Sequence, residues 1–373
     1  MAPVYLATAL HTAIHACFTG SKVILSLLAL ELGSSPALVG ALIACYSLAP
    51  LALGVYSGRL ADTIGMRIPM IFGAVFMALA MLVGAQWQTL AALFAVALLV
   101  GAGFVFFIVS VQNLVGVMPG NRARNYSILT VGYSVSNFIG PLIAGYAIEY
   151  GGHATAFLVF SAFTLVPLCV LALNPALTRV AAPKPPDGGR NALELLRLPP
   201  LRQQIIITGL SMAAWELFVF YLPIYGHGIG LAPSLIGIVL SVFAVATFLV
   251  RFVLSWIIAK APVEHVLAAS MLLAACVCAI FPLLTEPYAL ISASFVLGLG
   301  LGCSQPLSLT LSFERSPPGR SGEVAGLRLI ATNLARFVVP LASGAFGSTL
   351  GVGAVFWMNA VNLSAISWLA KRS

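Results

Sequence analysis

The sequence predicts an all-α membrane protein of twelve spans, built as two repeated six-helix halves, and three observations carry that prediction. Of the 373 residues 61% are hydrophobic and only 8% charged, with a mean hydropathy of +1.06, values that no aqueous domain matches. A helix that crosses a bilayer needs roughly 20 apolar residues, and the chain divides into twelve such segments with little loop between them. Lysine and arginine fall almost wholly in alternate loops, as the preference of cationic loops for the cytoplasm requires.

The spans lie near 6–31, 37–57, 68–86, 89–116, 126–149, 154–174, 204–226, 232–257, 264–284, 288–311, 325–348 and 352–370. The first is too long, and carries Lys22 too deep, for a cleavable signal peptide, so it is expected to remain in the mature protein. Arg59 and Arg67 occupy the second loop, Arg122 and Arg124 the fourth, and Arg179, Lys184, Arg190, Arg197 and Arg202 the sixth. Lys260 follows in the eighth, Arg315 and Arg320 in the tenth, and Lys371 and Arg372 in the tail, while the odd-numbered loops hold neither residue. Both termini are therefore expected in the cytoplasm, which an even number of spans demands. The net charge of +8 is topological, with anionic lipid headgroups as its natural neighbours and no nucleic acid as partner. All six cysteines fall inside predicted spans; Cys276 and Cys278 do not face one another on a helix, so no metal, disulfide or other cofactor is expected.

The chain repeats itself. LGSSPALVG at 32–40 returns as IGLAPSLIG at 229–237, an offset of 197, and Gly101 and Gly103 return as Gly298 and Gly300 at the same offset. NFIGPLIAG at 137–145 returns at 336–344, offset 199, with Phe138, Pro141, Leu142 and Gly145 matched by Phe337, Pro340, Leu341 and Gly344. Two bundles of one orientation are expected, 1–174 and 204–373, joined by a polar, proline-rich linker at 175–203. Within the linker, ALELLRL alternates apolar and charged positions as a short interfacial helix would.

The loop between the second and third spans reads GVYSGRLADTIGMR at 54–67. Through Gly58, Leu60, Ala61, Asp62, Gly65 and Arg67 it resembles the G-x-L-A-D-x-x-G-x-R signature of the major facilitator superfamily. The resemblance implies that family's fold, with twelve helices in two pseudo-symmetric bundles, and a secondary transporter working by alternating access. It further implies that Gly58, Arg59, Asp62, Gly65 and Arg67 act as a conformational gate, Asp62 pairing with Arg59 or Arg67 at a helix end. The counterpart in the second half, WIIAKAPVEHV at 256–266, lacks the aspartate and the glycines. In the fifth span, Gly140, Pro141 and Gly145 resemble the Gly-Pro motif of proton-driven exporters in this superfamily, and join the gate set. Span four departs from the drug-antiporter pattern: Ala97, Leu98, Leu99 and Val100 stand ahead of Gly101 where those relatives carry an arginine.

Charged residues at membrane depth are costly and mark function by default. Lys22, Glu216 and Arg336 lie deep, Arg328 nearer a helix end, where snorkelling of its side chain is expected, as for Arg251. Glu216 is the expected coupling carboxylate, with Lys22 as its partner or the substrate's anchor. His11 and His15, four apart on one face, are further proton-coupling candidates because imidazole titrates near neutrality. Arg336, Asn333, Gln112, Gln305 and Trp215 complete the substrate-binding candidates. Two deep cations against one deep carboxylate favour an anionic or zwitterionic solute. Glu31 and Glu149 read as solvated carboxylates at helix ends. No catalytic residue set is found, so no enzyme is expected. The reading is a monomeric inner-membrane carrier that exports a small organic solute in exchange for protons. The rival readings are uptake of an organic anion and, in a different class, a membrane sensor or lipid flippase.

Cysteine-accessibility labelling of intact cells tests the topology. Lys184→Cys is expected to resist impermeant reagent from outside and to react once the membrane is opened; external labelling would invert the orientation.

Overall fold

The computed structural model describes residues 3–119, 122–174, 192–317 and 320–372, and among them it contains helices and no strand. The first half gives α1 (Pro3–Glu31), α2 (Pro36–Ile64), α3 (Arg67–Gln86) and α4 (Leu90–Val117), followed by a helical run over Arg122–Leu173. Non-helical dihedrals at Gly152, φ 75° and ψ 173°, break that run, giving α5 (122–151) and α6 (153–173). The second half gives α7 (Pro199–Gly228), α8 (Pro233–Ile258), α9 (Val263–Ile280), α10 (Pro287–Glu314), α11 (Ser321–Leu350) and α12 (Val352–Lys371). Among the described residues eleven helical runs are long and apolar enough to cross a membrane, and the break at Gly152 turns the longest into two spans, making twelve.

The repeat is visible in the backbone. Gly152 and Gly351 (φ 86°, ψ 161°) hold equivalent places, each the whole link between two spans. Only glycine enters this region of φ/ψ space without strain, which is why a turn expected to take several residues is one residue long. Gly33 and Gly230, with φ of 79° and 77°, end α1 and α7 in the same way. Ser34 N–H donates to the Ala29 carbonyl at 2.9 Å and Leu231 N–H to that of Gly226 at 2.8 Å, a six-to-one closure that answers carbonyls left open at a helix end.

Helix packing repeats as well. A Cβ at Gly101 would stand 2.5 Å from the Tyr46 carbonyl oxygen, and one at Gly298 would stand 2.5 Å from that of Phe243. Gly103 meets Gly73 O at 2.6 Å and Gly300 meets Ser270 O at 2.8 Å on the same construction. Close backbone approach through small residues is how bilayer helices gain contact where no hydrophobic force separates them from lipid.

Contacts divide the chain into two compact units, one of Met1–Ser34, Leu42–Asp187 and Ala232–Ser241, the other of Ser35–Ala41, Gly188–Leu231 and Val242–Ser373. The first unit thus includes the start of α8, held on α5. Ser241 donates from Oγ to Phe138 O at 2.7 Å, and Gly237 and Gly145 sit against the carbonyls of Pro141 and Pro233. Glu149 Oε2 accepts from Ser234 N–H at 3.0 Å, so this carboxylate is not merely solvated; it satisfies an open donor at the α8 N-terminus. Glu31 is engaged too, 2.9 Å from His153 Nε2. The second unit includes the start of α2, where Gly40 lies against Pro340 O and Gly344 against Pro36 O.

Most of the expected linker, 175–191, lies outside the described residues. Its end forms a 3-10 helix over Ala192–Arg197. Leu195 there is 1% exposed and packs with Leu201, Ile205, Val324 and Leu327. The short helix expected at the membrane interface therefore spends its apolar face on α7 and α11.

Gly152→Ala and Gly351→Ala are each expected to lower stability by about 1–3 kcal/mol, the cost of holding a side chain in this region. Thermal unfolding of the purified protein in detergent measures it, with Gly54→Ala, where a Cβ would meet nothing within 4 Å, as the control.

Candidate functional site

In the first unit the polar candidates gather on α1 and α5. His15 Nδ1 lies 2.6 Å from Ser136 Oγ, and Ser136 Oγ donates to Tyr133 O at 2.9 Å. With the serine proton so directed, the geometry suits an Nδ1–H of His15 donating to Ser136. His11 is fully buried, its ring 4.2 Å from that of Tyr133 and 5.4 Å from that of His15. Neither His11 nitrogen has a hydrogen-bond partner among the described residues. Thr19 Oγ1 donates to Ser136 O at 3.2 Å, and Gly140 brings α5 onto Ala16 and Gly20 of α1.

Lys22, one turn further along α1, is held by aromatic faces. Its Nζ stands 4.9 Å from the Phe18 ring centroid and 6.0 Å from that of Tyr46, within the range of cation–π attraction. Phe18 stacks on Phe104 at 4.0 Å, and Tyr46 donates to Ser21 Oγ at 3.1 Å. Gln112 donates to Tyr133 Oη at 3.1 Å, and its carbonyl accepts from Tyr126 Oη at 3.1 Å.

In the second unit Glu216 and Arg336 form an ion pair, Nε to Oε1 at 3.2 Å, with the carboxylate side chain 8% exposed and the arginine 44%. One partner is thus withdrawn and the other half open. Trp215 sets its ring against Phe243 at 4.8 Å, Gln305 Nε2 reaches Met212 Sδ at 3.9 Å, and Asn333 is half-buried on α11. Asn359 of α12, one of the residues the sequence does not single out, donates to Ala214 O at 3.2 Å and steadies α7 two residues from Glu216. At the repeat offsets, Thr19 corresponds to Glu216, Phe18 to Trp215 and Asn137 to Arg336. The charged pair of the second half therefore occupies the place where the first half has a neutral threonine bonded to α5.

Arg328 does not snorkel. It is 7% exposed, and its Nη1 meets Thr208 Oγ1 at 2.6 Å, Ser312 Oγ at 2.7 Å, Ser308 O at 2.8 Å and Ser308 Oγ at 2.9 Å. Hydroxyls on α7 and α10 hold the side chain inward, against the expectation that it reaches for an interface. Ser304, Ser308 and Ser312 recur every four residues on one face of α10, a polar stripe in the sequence that signals this arrangement.

The signature loop is a two-residue turn at Gly65 (φ 83°) and Met66. Arg67 donates from Nε to Leu171 O at 3.0 Å and from Nη2 to Ala172 O at 2.9 Å, so it satisfies the open carbonyls at the end of α6, a cation where the helix dipole favours one. Arg59 is exposed, Gly58 packs near Val109, and the Asp62 side chain lies outside the described residues. At the start of α11, Arg320 pairs with Glu323, whose carboxylate holds the guanidinium above its ordinary value.

Among solved structures the chain resembles a crystal structure of the peptide transporter POT in complex with sulfate, with a TM-score of 0.82 and 17% identity over 99% of this chain and 94% of that one. A mutant of the nucleoside transporter NupG gives 0.83 and 13% over 99% of each chain. A bacterial homologue of the human lysosomal transporter Spinster, inward-facing and unoccupied, gives 0.75 and 13% over 99% and 94%. No curated protein matches the sequence. Identities this low show the fold alone. The family model described as Major Facilitator Superfamily, however, matches residues 7–340, and with most of its length so matched the chain belongs to that superfamily of multi-pass membrane transporters.

Proposed function

We propose that the protein carries a small anionic or zwitterionic organic solute across the inner membrane by alternating access, coupled to protons. The moving bodies are the bundles at 1–174 and 204–373, joined by 175–203, with both termini in the cytoplasm. The observation that carries the reading is the Glu216–Arg336 pair. A carboxylate withdrawn from solvent is charged only while its cation is near. When Glu216 takes a proton the pair dissolves, and the half-open Arg336 becomes free to receive an anionic group from the solute. Proton and anion then favour each other's binding by reciprocal linkage, the sign expected of solute and proton moving together. The solved structures it resembles include carriers of peptides and of nucleosides, in keeping with a small polar solute. Within the second unit Trp215, Gln305 and Asn333 supply an apolar face and neutral hydrogen-bonding groups. Within the first, Lys22 on its aromatic cradle is a further cation candidate, Gln112 a neutral hydrogen-bonding group, and His11 and His15 the alternative proton sites.

Export in exchange for protons is the second reading. It is favoured by the Gly140, Pro141 and Gly145 motif, whose glycines do bring α5 against α1 and α8. Metabolite profiling of cells and medium, with and without the protein, gives substrate and direction together. A bound metabolite that never crosses would instead indicate a sensor.

In proteoliposomes, Glu216→Gln is expected to abolish accumulation driven by a pH gradient while leaving exchange at equal pH largely intact. Full pH-driven transport by this variant would end the coupling role and move attention to His11 and His15. Each single neutralisation, Glu216→Gln or Arg336→Gln, strands the other charge, so the double variant is expected to unfold at a higher temperature than either.

A further inference from the structure

We propose that Arg328 anchors a binding site for a small oxyanion, a carboxylate or phosphate-type group, within the second unit on the seam of α7, α10 and α11. The site is separate from the Glu216–Arg336 pair and does not depend on the coupling role given to it. Four oxygens surround one nitrogen, Nη1. Their protons point elsewhere: Thr208 donates to Gln204 O at 2.8 Å and Ser312 to Ser308 O at 2.7 Å. The oxygens therefore turn lone pairs to the guanidinium and fix its plane, but being neutral they do not cancel its charge.

In the same unit Arg315 pairs with Glu264 at 3.1 Å, Arg320 with Glu323, and Arg336 with Glu216. Arg328 has no carboxylate partner among the described residues. Its Nε and Nη2 make no hydrogen bond there either, which leaves vacant the planar two-donor edge that matches a carboxylate or phosphate. A cage that only tied three helices together would not need that edge; a lysine would serve. A second unanswered group lies nearby: Gln204, fully buried, has neither amide atom partnered. It stands one turn before Thr208 on the same face of α7. A buried cation with an open fork, and an unpaired amide one turn along α7 from the threonine that holds it, offer the donors an oxyanion completes.

The test is thermal unfolding of the full chain in phospholipid-free micelles, titrated with sodium phosphate, sulfate or acetate at an ionic strength held constant with sodium chloride. At least one anion is expected to raise the unfolding temperature saturably. Arg328→Lys, which keeps the charge and loses the fork, should weaken that binding at least tenfold. Gln204→Leu, which leaves the Arg328 cage in place and serves if the first variant does not fold, should weaken it severalfold. Gly54→Ala, where a Cβ would meet nothing within 4 Å, should leave it unchanged. Preference for acetate would identify the occupant as a solute carboxylate, preference for phosphate or sulfate as an inorganic anion, and competition by added phosphatidylglycerol as a lipid headgroup. No saturable stabilisation of the unaltered protein by any of the three anions, or equal stabilisation of Arg328→Lys, would overturn the proposal.

Discussion

In the core of a bilayer there is no water to complete a hydrogen bond, so each polar group that enters must be answered by another part of the chain. A charged side chain left unanswered at the centre of a span costs at least about 2.5–3.5 kcal/mol. The positions of several deep polar residues follow from this, those of His11 and Gln204 being exceptions among the described residues. Glu216 is met by Arg336, His15 by Ser136, and Lys22 by the faces of Phe18 and Tyr46. Arg67, at a helix end, answers two open carbonyls of α6 rather than a side chain. With backbone groups satisfied within helices, the helices also come together by close backbone approach, which the glycines at 101, 103, 298 and 300 permit.

Duplication supplies the frame, and the places where the halves differ supply the chemistry. The same glycine-to-carbonyl approaches and the same helix terminations occur in both halves because they serve packing, which both need equally. Thr19 against Glu216, and Asn137 against Arg336, are changes of another kind. They convert a neutral α1–α5 contact into a charged α7–α11 contact with the backbone frame unchanged. Tyr46 bonded to Ser21 has Phe243 as its counterpart, so the second half carries its polarity in other positions.

Much of the fold was legible from the sequence because its signals are periodic or compositional: apolar runs of bilayer length, cationic loops at alternate turns, and motif pairs at offsets of 197 and 199. The one-residue link at Gly152 was not, since a glycine among glycines gives no sign of which one carries the unusual dihedrals. The site was legible by residue type and only partly by partner. Depth marked Glu216 and Arg336 separately, but that they meet depends on the packing of α7 on α11, which spacing within one helix cannot reveal. In the sequence Arg328 has the look of a snorkelling residue because its distance from a helix end allows it. What holds it inward is a set of hydroxyls from two other helices, and serine and threonine are too common in bilayer helices to announce themselves singly.

The links at Gly152 and Gly351 bear on how the chain enters the membrane during synthesis. A pair of spans joined by one glycine has no polar loop to haul through the lipid on its own. Neither 150–153 nor 349–352 contains an aspartate, glutamate, lysine or arginine. The connection between the two spans of each pair therefore brings no fixed charge of its own across the lipid.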